Sequence, residues 1–237
     1  MRKSFIWFDL GYTLVYQQRE EAYRKYLLER GIDISIAEIE RAYHLTDKLF
    51  MRQYPGALSK ELTTFYSWYI GMLNYSLGVR FDLSVQCARL LQLQKEGGQG
   101  WRPFPFASSA LSELKRNGYG LGLISNWDES CRTLLRNIGL ETYFDEIVVS
   151  SEVELEKPDT RIFEHGLRAA DVRPEECVYV GDNYYDDVVG SGKAGMDCFL
   201  INRFGRLGIE ELQYEKTISS VQELPALLLK PEQQIIR

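Results

Sequence analysis

The stretch FIWFDLGYTLVY (Phe5–Tyr16) is an apolar run that stops on a carboxylate. Ile6, Trp7 and Phe8 would be apolar on both faces of an extended chain, the pattern of a central parallel strand covered above and below. A strand is therefore expected over Ser4–Leu10. It ends in Asp9, with Thr13 just beyond, at the edge where open parallel sheets bind their ligands. Two residues after Asp9 stands Gly11, which has no side chain.

From Gln18 to Leu93 the pattern becomes helical. Ala22, Tyr26 and Leu27 recur at helical spacing before Gly31, and Ile36, Ile39 and Tyr43 share a face after Ser35. Further helices are expected over Ser59–Leu77 and Asp82–Leu93. Gly97, Gly98 and Gly100, then Pro103 and Pro105, mark Glu96–Pro105 as a linker.

Strands and helices then alternate. A helix capped by Ser108 is expected to run to Lys115, followed by a strand over Tyr119–Ser125 and a helix over Asp128–Ile138. A strand over Glu146–Ser150, a helix over Thr160–Ala170 and a strand over Cys177–Gly181 follow. A helix over Asp186–Ala194, a strand over Cys198–Ile201 and a last helix over Ser219–Leu229 complete the series. This order predicts an α/β fold: a parallel sheet with helices on both faces, interrupted after its first strand by an all-helical insert. The core is placed at residues 1–15 and 102–229, the insert at 16–101 and a tail at 230–237.

Composition narrows the function. At 237 residues and 45% hydrophobic, the chain can bury a substantial core. Its net charge of -6 offers no basic field for nucleic acid or an anionic membrane. No apolar run approaches a bilayer span, and no leader-length stretch precedes Asp9, so a cytoplasmic protein is expected. Cys87, Cys131, Cys177 and Cys198 are scattered without a CxxC and read as buried, reduced thiols. With only His44 and His165 present, a histidine metal site is not expected.

The strand ends carry the chemistry. The first ends in Asp9, and GLGLISN ends in Ser125 and Asn126. Lys157 of Glu-Lys-Pro follows the EIVVSS strand, and CVYVGD ends in Asp182 with Asp186 and Asp187 beyond. Each has an ordinary reading as a cap, a turn or a solvated charge. Together they supply a carboxylate nucleophile (Asp9), phosphate-oxygen partners (Ser125, Asn126, Lys157) and an acidic pair for a hard cation (Asp9, Asp182).

These residues resemble the haloacid dehalogenase-like (HAD) hydrolase superfamily, in the branch with a helical cap after the first motif. FDLGYTLV matches motif one and LGLISN motif two; KPDTRIFEHGL matches motif three and VGDNYYDDVVGSGKAGM motif four. FPFASSALSELKRNGYGLGLISN looks like the family's return from cap to core. The resemblance implies a Rossmann-like sheet and Mg2+-dependent phosphoryl transfer through an aspartyl-phosphate, on a small phosphorylated metabolite, by a monomer or homodimer. Asp9 would attack phosphorus and, with Asp182 and the backbone carbonyl of Gly11, hold the metal. Thr13 and Ser125 would bind the phosphoryl group, Lys157 would neutralise charge, and Asp187 would orient Lys157 or metal-bound water. Asp186 stands where relatives often have asparagine.

Family phosphatases generally carry a second aspartate at the position of Gly11, where it protonates the leaving oxygen. Its absence removes acid–base help worth roughly 10²–10⁴-fold in rate, on the order of 3–5 kcal/mol of barrier. Aryl and acyl phosphates should then turn over better than alkyl phosphates. The same vacancy opens a second reading, a degenerate ligand-binding or regulatory protein. Dehalogenating relatives have tyrosine at this position, here shifted to Tyr12. Phosphonate-cleaving relatives have a small residue there with a cap lysine, for which Lys25, Lys48 and Lys60 are available.

In the insert, Tyr43, Phe50, Tyr54, Phe65, Tyr66, Trp68 and Tyr69 are expected to pack the helices together. Arg41, Lys48 and Arg52 are read as a solvated face. Leu14–Gln18 and Glu96–Pro105 are the expected hinges of a closing cap.

Overall fold

The computed structural model describes residues 3–97 and 100–228. The central strand β1 is Phe5–Phe8, buried throughout as its unbroken apolar run requires. The chain continues through β2 (Val15–Tyr16) into four helices: α1 (Arg19–Leu28), α2 (Ile36–Gln53), α3 (Leu62–Ser76) and α4 (Leu83–Glu96). It returns through β3 (Arg102–Pro103), α5 (Ala107–Arg116), β4 (Gly120–Ser125), α6 (Cys131–Asn137), β5 (Glu146–Val149) and a short α7 (Ser150–Val153). Then come α8 (Thr160–Ala169), β6 (Cys177–Gly181), α9 (Val189–Lys193), β7 (Asp197–Ile201), β8 (Thr217–Ile218) and α10 (Leu224–Leu228).

Six strands form one parallel sheet in the order β5-β4-β1-β6-β7-β8, with helices on both faces. The α/β fold class expected from the strand–helix alternation is the one observed. β1 lies between β4 and β6, and Phe8 is level with both Leu123 and Val180. The carboxyl ends of three sequence-distant strands therefore meet at the point where the strand order reverses.

Glycines make room for the aromatic rings of β1. A Cβ at Gly120 would run into the Phe5 ring, and one at Gly122 into the Trp7 ring. Gly166 of α8 also lies against Trp7 and Ile124, where a Cβ would come within 3.1 Å of each. The alternating glycines of GLGLIS are thus the complement of the large residues in FIWF.

Element boundaries shifted where side chains compete for the backbone. α5 begins at Ala107 with Phe106 at its cap position, so Ser108 lies inside the helix instead of capping it. Phe106 is already helical, stacked at 5.1 Å on Phe104. The helix expected from Asp128 begins at Cys131, because the Asp128 carboxylate accepts the Ser130 N–H at 2.8 Å and holds a turn. The helix expected over Asp186–Ala194 is a π-helical turn, Tyr184–Val188, leading into α9. β8 was not foreseen.

Both stretches read as hinges contribute to an antiparallel pair, β2 with β3, extended by the Phe104 N–H donating to the Leu14 carbonyl at 2.9 Å. Gly98 of the expected linker, Leu229 of the expected last helix and the tail 230–237 lie outside the described residues.

Two compact units are distinguished: residues 17–101 with 206–212, and the α/β remainder. In the helical unit, Tyr23, Tyr26, Leu27, Ile39, Phe50, Ile70, Leu73 and Leu90 are buried together. α2 starts with a capping box between Ser35 and Glu38, and Asp82 caps α4. The aromatics expected to pack do so, with Phe50 and Tyr54 both against Trp68. Lys48 and Arg52 depart from the expected solvated face. Lys48 is buried and its stem adjoins Gly208, while Arg52 pairs with Glu211 at 2.7 Å. The His44 Nε2–H donates to the Leu207 carbonyl at 2.9 Å, so residues 206–212 are fastened to α2 at three places.

Candidate active site

Asp9 follows β1 and is anchored by its own N–H, which donates to the Val180 carbonyl at 2.8 Å. Its Oδ1 accepts from Lys157 Nζ at 2.8 Å and from the Ser125 hydroxyl at 3.3 Å. All three side chains are buried. Asp187, fully buried, accepts a second Lys157 proton on Oδ1 at 2.6 Å. Its Oδ2 accepts the Asn183 N–H at 2.9 Å. Burial pushes the Asp9 carboxyl up and Lys157 opposes it. Burial also works against the Lys157 ammonium, but Asp187 and Asp9 outweigh it and hold that group well above the usual lysine range.

Asp182 joins this cluster: carboxylate oxygens of Asp9, Asp182 and Asp187 lie within 4.8 Å of one another. Three clustered carboxylates, two of them paired with the single Lys157 ammonium, leave negative charge in excess, and all the acidic donors are hard oxygens. That set fits a small divalent cation such as Mg2+.

The loop after Asp9 is tight. The Tyr12 N–H donates to the Val15 carbonyl at 2.7 Å, and the Leu14 N–H to the Leu10 carbonyl at 2.9 Å. The left-handed conformation in this loop falls on Tyr12 (φ 52), and Gly11 is not among the described residues of positive φ. Gly11 forms a bridge with Val15. Thr13 is buried, and its hydroxyl has no hydrogen-bond partner among the described residues. An orphaned hydroxyl four residues after Asp9 is a donor awaiting an acceptor.

Asn126, expected to bind phosphate, has a different observed task. Its Oδ1 accepts the Lys157 N–H at 2.8 Å and its Nδ2 donates to the Lys157 carbonyl at 2.9 Å. Asp186 accepts from Asn183 Nδ2 at 2.7 Å. Its carboxyl is pushed up to about 7, by burial first and then by Asp187. Asn183 in turn caps the π-helical turn through Tyr185 and Asp186.

Two contributors were not foreseen. Tyr179 accepts from Lys157 Nζ at 3.0 Å, and Asn183 organises the acidic loop. The signal for Tyr179 was a phenol inside the apolar strand CVYVG, since a buried hydroxyl requires a partner. The signal for Asn183 was an asparagine just ahead of a helical segment.

The family model described as haloacid dehalogenase-like hydrolase matches residues 6–201, and the chain belongs to that family of hydrolases. The chain is 31% identical over 201 residues to a glyceraldehyde 3-phosphate phosphatase of Methanothermobacter thermautotrophicus, covering 82% of this chain and 72% of that one. It is 28% identical over 240 residues to the haloacid dehalogenase-like hydrolase domain-containing protein 3 of Danio rerio, covering 96% and 98%. Among solved structures, a HAD phosphatase from Thermococcus onnurineus shares the fold, with a TM-score of 0.59 at 24% identity over 96% of this chain and 98% of that one. Among the described residues no helix is long and apolar enough to cross a membrane.

Proposed function

We propose that this hydrolase is a Mg2+-dependent phosphatase that acts on a small phosphorylated metabolite through an aspartyl-phosphate on Asp9. The observation that carries the reading is the convergence on Asp9 of the Lys157 ammonium, the Ser125 hydroxyl and the Asp182 and Asp187 carboxylates. The named phosphatase relative supports it.

Asp9 Oδ1 is held by Lys157 and Ser125, which leaves Oδ2 as the oxygen to attack phosphorus. The new O–P bond forms as the bond to the leaving oxygen breaks, and water later cleaves the acyl phosphate to release inorganic phosphate. The Thr13 hydroxyl, without a partner among the described residues, would donate to a phosphoryl oxygen; Ser125 would turn its one proton from Asp9 to another, and Lys157 would balance their charge. Asp9, Asp182 and the Gly11 carbonyl would hold the cation, with Asp187 fixing Lys157 beside them. The cation would contribute electrostatic stabilisation of the transferring phosphoryl group. Gly11 supplies no proton, so the leaving oxygen must take one from solvent, and substrates with good leaving groups are favoured.

Gly11 also favours a second reading, a protein that binds a phosphate ligand without turning it over. A Mg2+ titration of p-nitrophenyl phosphate hydrolysis by wild type and Asp9→Asn decides between them. Metal-dependent activity abolished by Asp9→Asn is expected. Activity indifferent to that change removes the covalent mechanism, and phosphate binding without hydrolysis supports the second reading. A panel of phosphorylated metabolites that includes glyceraldehyde 3-phosphate then identifies the substrate.

A further inference from the structure

Tyr179 stands in the middle of β6 with no solvent exposure, its ring edge-on to Phe163 at 5.3 Å. Its hydroxyl donates to the carbonyl of Ile124 at 2.8 Å and accepts from Lys157 Nζ at 3.0 Å. Because β1 separates β6 from β4, the phenol reaches across β1 and ties the strand carrying Asp182 to the strand ending in Ser125. An ammonium has three protons to donate. Those of Lys157 go to Asp187 at 2.6 Å, Asp9 at 2.8 Å and Tyr179 at 3.0 Å.

The chemistry of the third partner matters. A third carboxylate beside Lys157 would add to the excess negative charge, whereas an apolar side chain would strand one ammonium proton in a buried site. A neutral hydroxyl whose own proton is committed to Ile124 presents only a lone pair. It fixes the ammonium without adding charge. Asn126 sets the Lys157 backbone, but only the three partners at Nζ determine where the charge sits.

We propose that Tyr179 is a positioning residue for catalysis. It completes a tripod that holds the Lys157 ammonium against Asp9, and through the Ile124 carbonyl it sets the adjacent Ser125. The inference rests on the reading of Asp9 as the nucleophile that Lys157 serves.

The test is Tyr179→Phe, which keeps the ring and its packing on Phe163. The Lys157 ammonium is followed by its 15N–1H resonance, assigned by its disappearance in Lys157→Met. The expected result is a Lys157 signal that shifts or is lost to solvent exchange. With it, kcat for p-nitrophenyl phosphate falls about tenfold or more while KM stays within about twofold. A lowered melting temperature with kcat and the lysine resonance both unchanged would overturn the proposal. So would a kcat loss with the resonance unmoved, since Tyr179 would then act by another route. If wild type hydrolyses no phosphate ester, the functional reading fails, and the resonance alone decides whether Tyr179 holds Lys157.

Discussion

Asn126 and Lys157 grip each other through two reciprocal hydrogen bonds, the asparagine amide accepting the lysine N–H at 2.8 Å and donating to its carbonyl at 2.9 Å. Asn126 follows β4, and Lys157 lies between α7 and α8. The pair therefore fixes the backbone from which the ammonium reaches Asp9.

Asn126→Ala should weaken both fold and activity. Each partly buried backbone group left without a partner costs about 1–3 kcal/mol. Urea denaturation should show that loss, and kcat should fall in a protein still folded at the assay temperature. Unchanged kcat in the folded variant would mean that Lys157 is placed without this clamp.

Gly181→Ala tests the opposite wall. A Cβ at this position would occupy the space of the Asp187 carboxylate. Asp187 must then move away from Lys157, and a displacement of about 1 Å at a catalytic constellation costs on the order of 100-fold in rate. Steady-state kinetics on an aryl phosphate should show it. Full activity would place Asp187 outside the machinery.

Gly11→Asp asks whether the missing acid limits the rate. The left-handed residue of this loop is Tyr12, and Gly11 is not among the described residues of positive φ. Alkyl phosphates should gain up to roughly 10²–10⁴-fold, and aryl phosphates much less. In wild type, log kcat should fall steeply as leaving-group pKa rises. A flat dependence would show that another group already donates the proton.

Asp197 gives a pH dependence away from the site. Its carboxyl is held below the ordinary value of 3.8 by Lys216 and then Lys3. A depressed acid stabilises the fold above its unfolded-state value, and that contribution is lost as pH falls through the folded-state value. Asp197→Asn should therefore flatten the drop in melting temperature below about pH 4. Parallel curves for the two proteins would refute the linkage.

The α/β class, the helical insertion after β1 and the acidic and basic strand ends were all legible in the linear chain. An unbroken apolar run, a helical period and a strand–helix alternation each report burial within a few residues of the chain. Asp9, Ser125, Lys157 and Asp182 stood out for the same reason: each interrupts or closes such a pattern. The boundaries that moved, at Ser108 and Asp128, did so where a neighbouring turn had already claimed the backbone.

The partners of those residues could not be read in that way, because they are set by strand order and side-chain reach across the sheet. Asp9 and Ser125 are 116 positions apart, and Asp9 and Lys157 are 148 apart. Only the placement of β1 between β4 and β6 turns Tyr179 into the third support of Lys157. The adjacency of β4 and β5 brings Asn126 to the lysine backbone, while Gly181 clears space for Asp187 just beyond its own strand. Local patterning records which residues leave water, while long-range pairing decides which of them meet. The chemistry of this protein depends on that meeting.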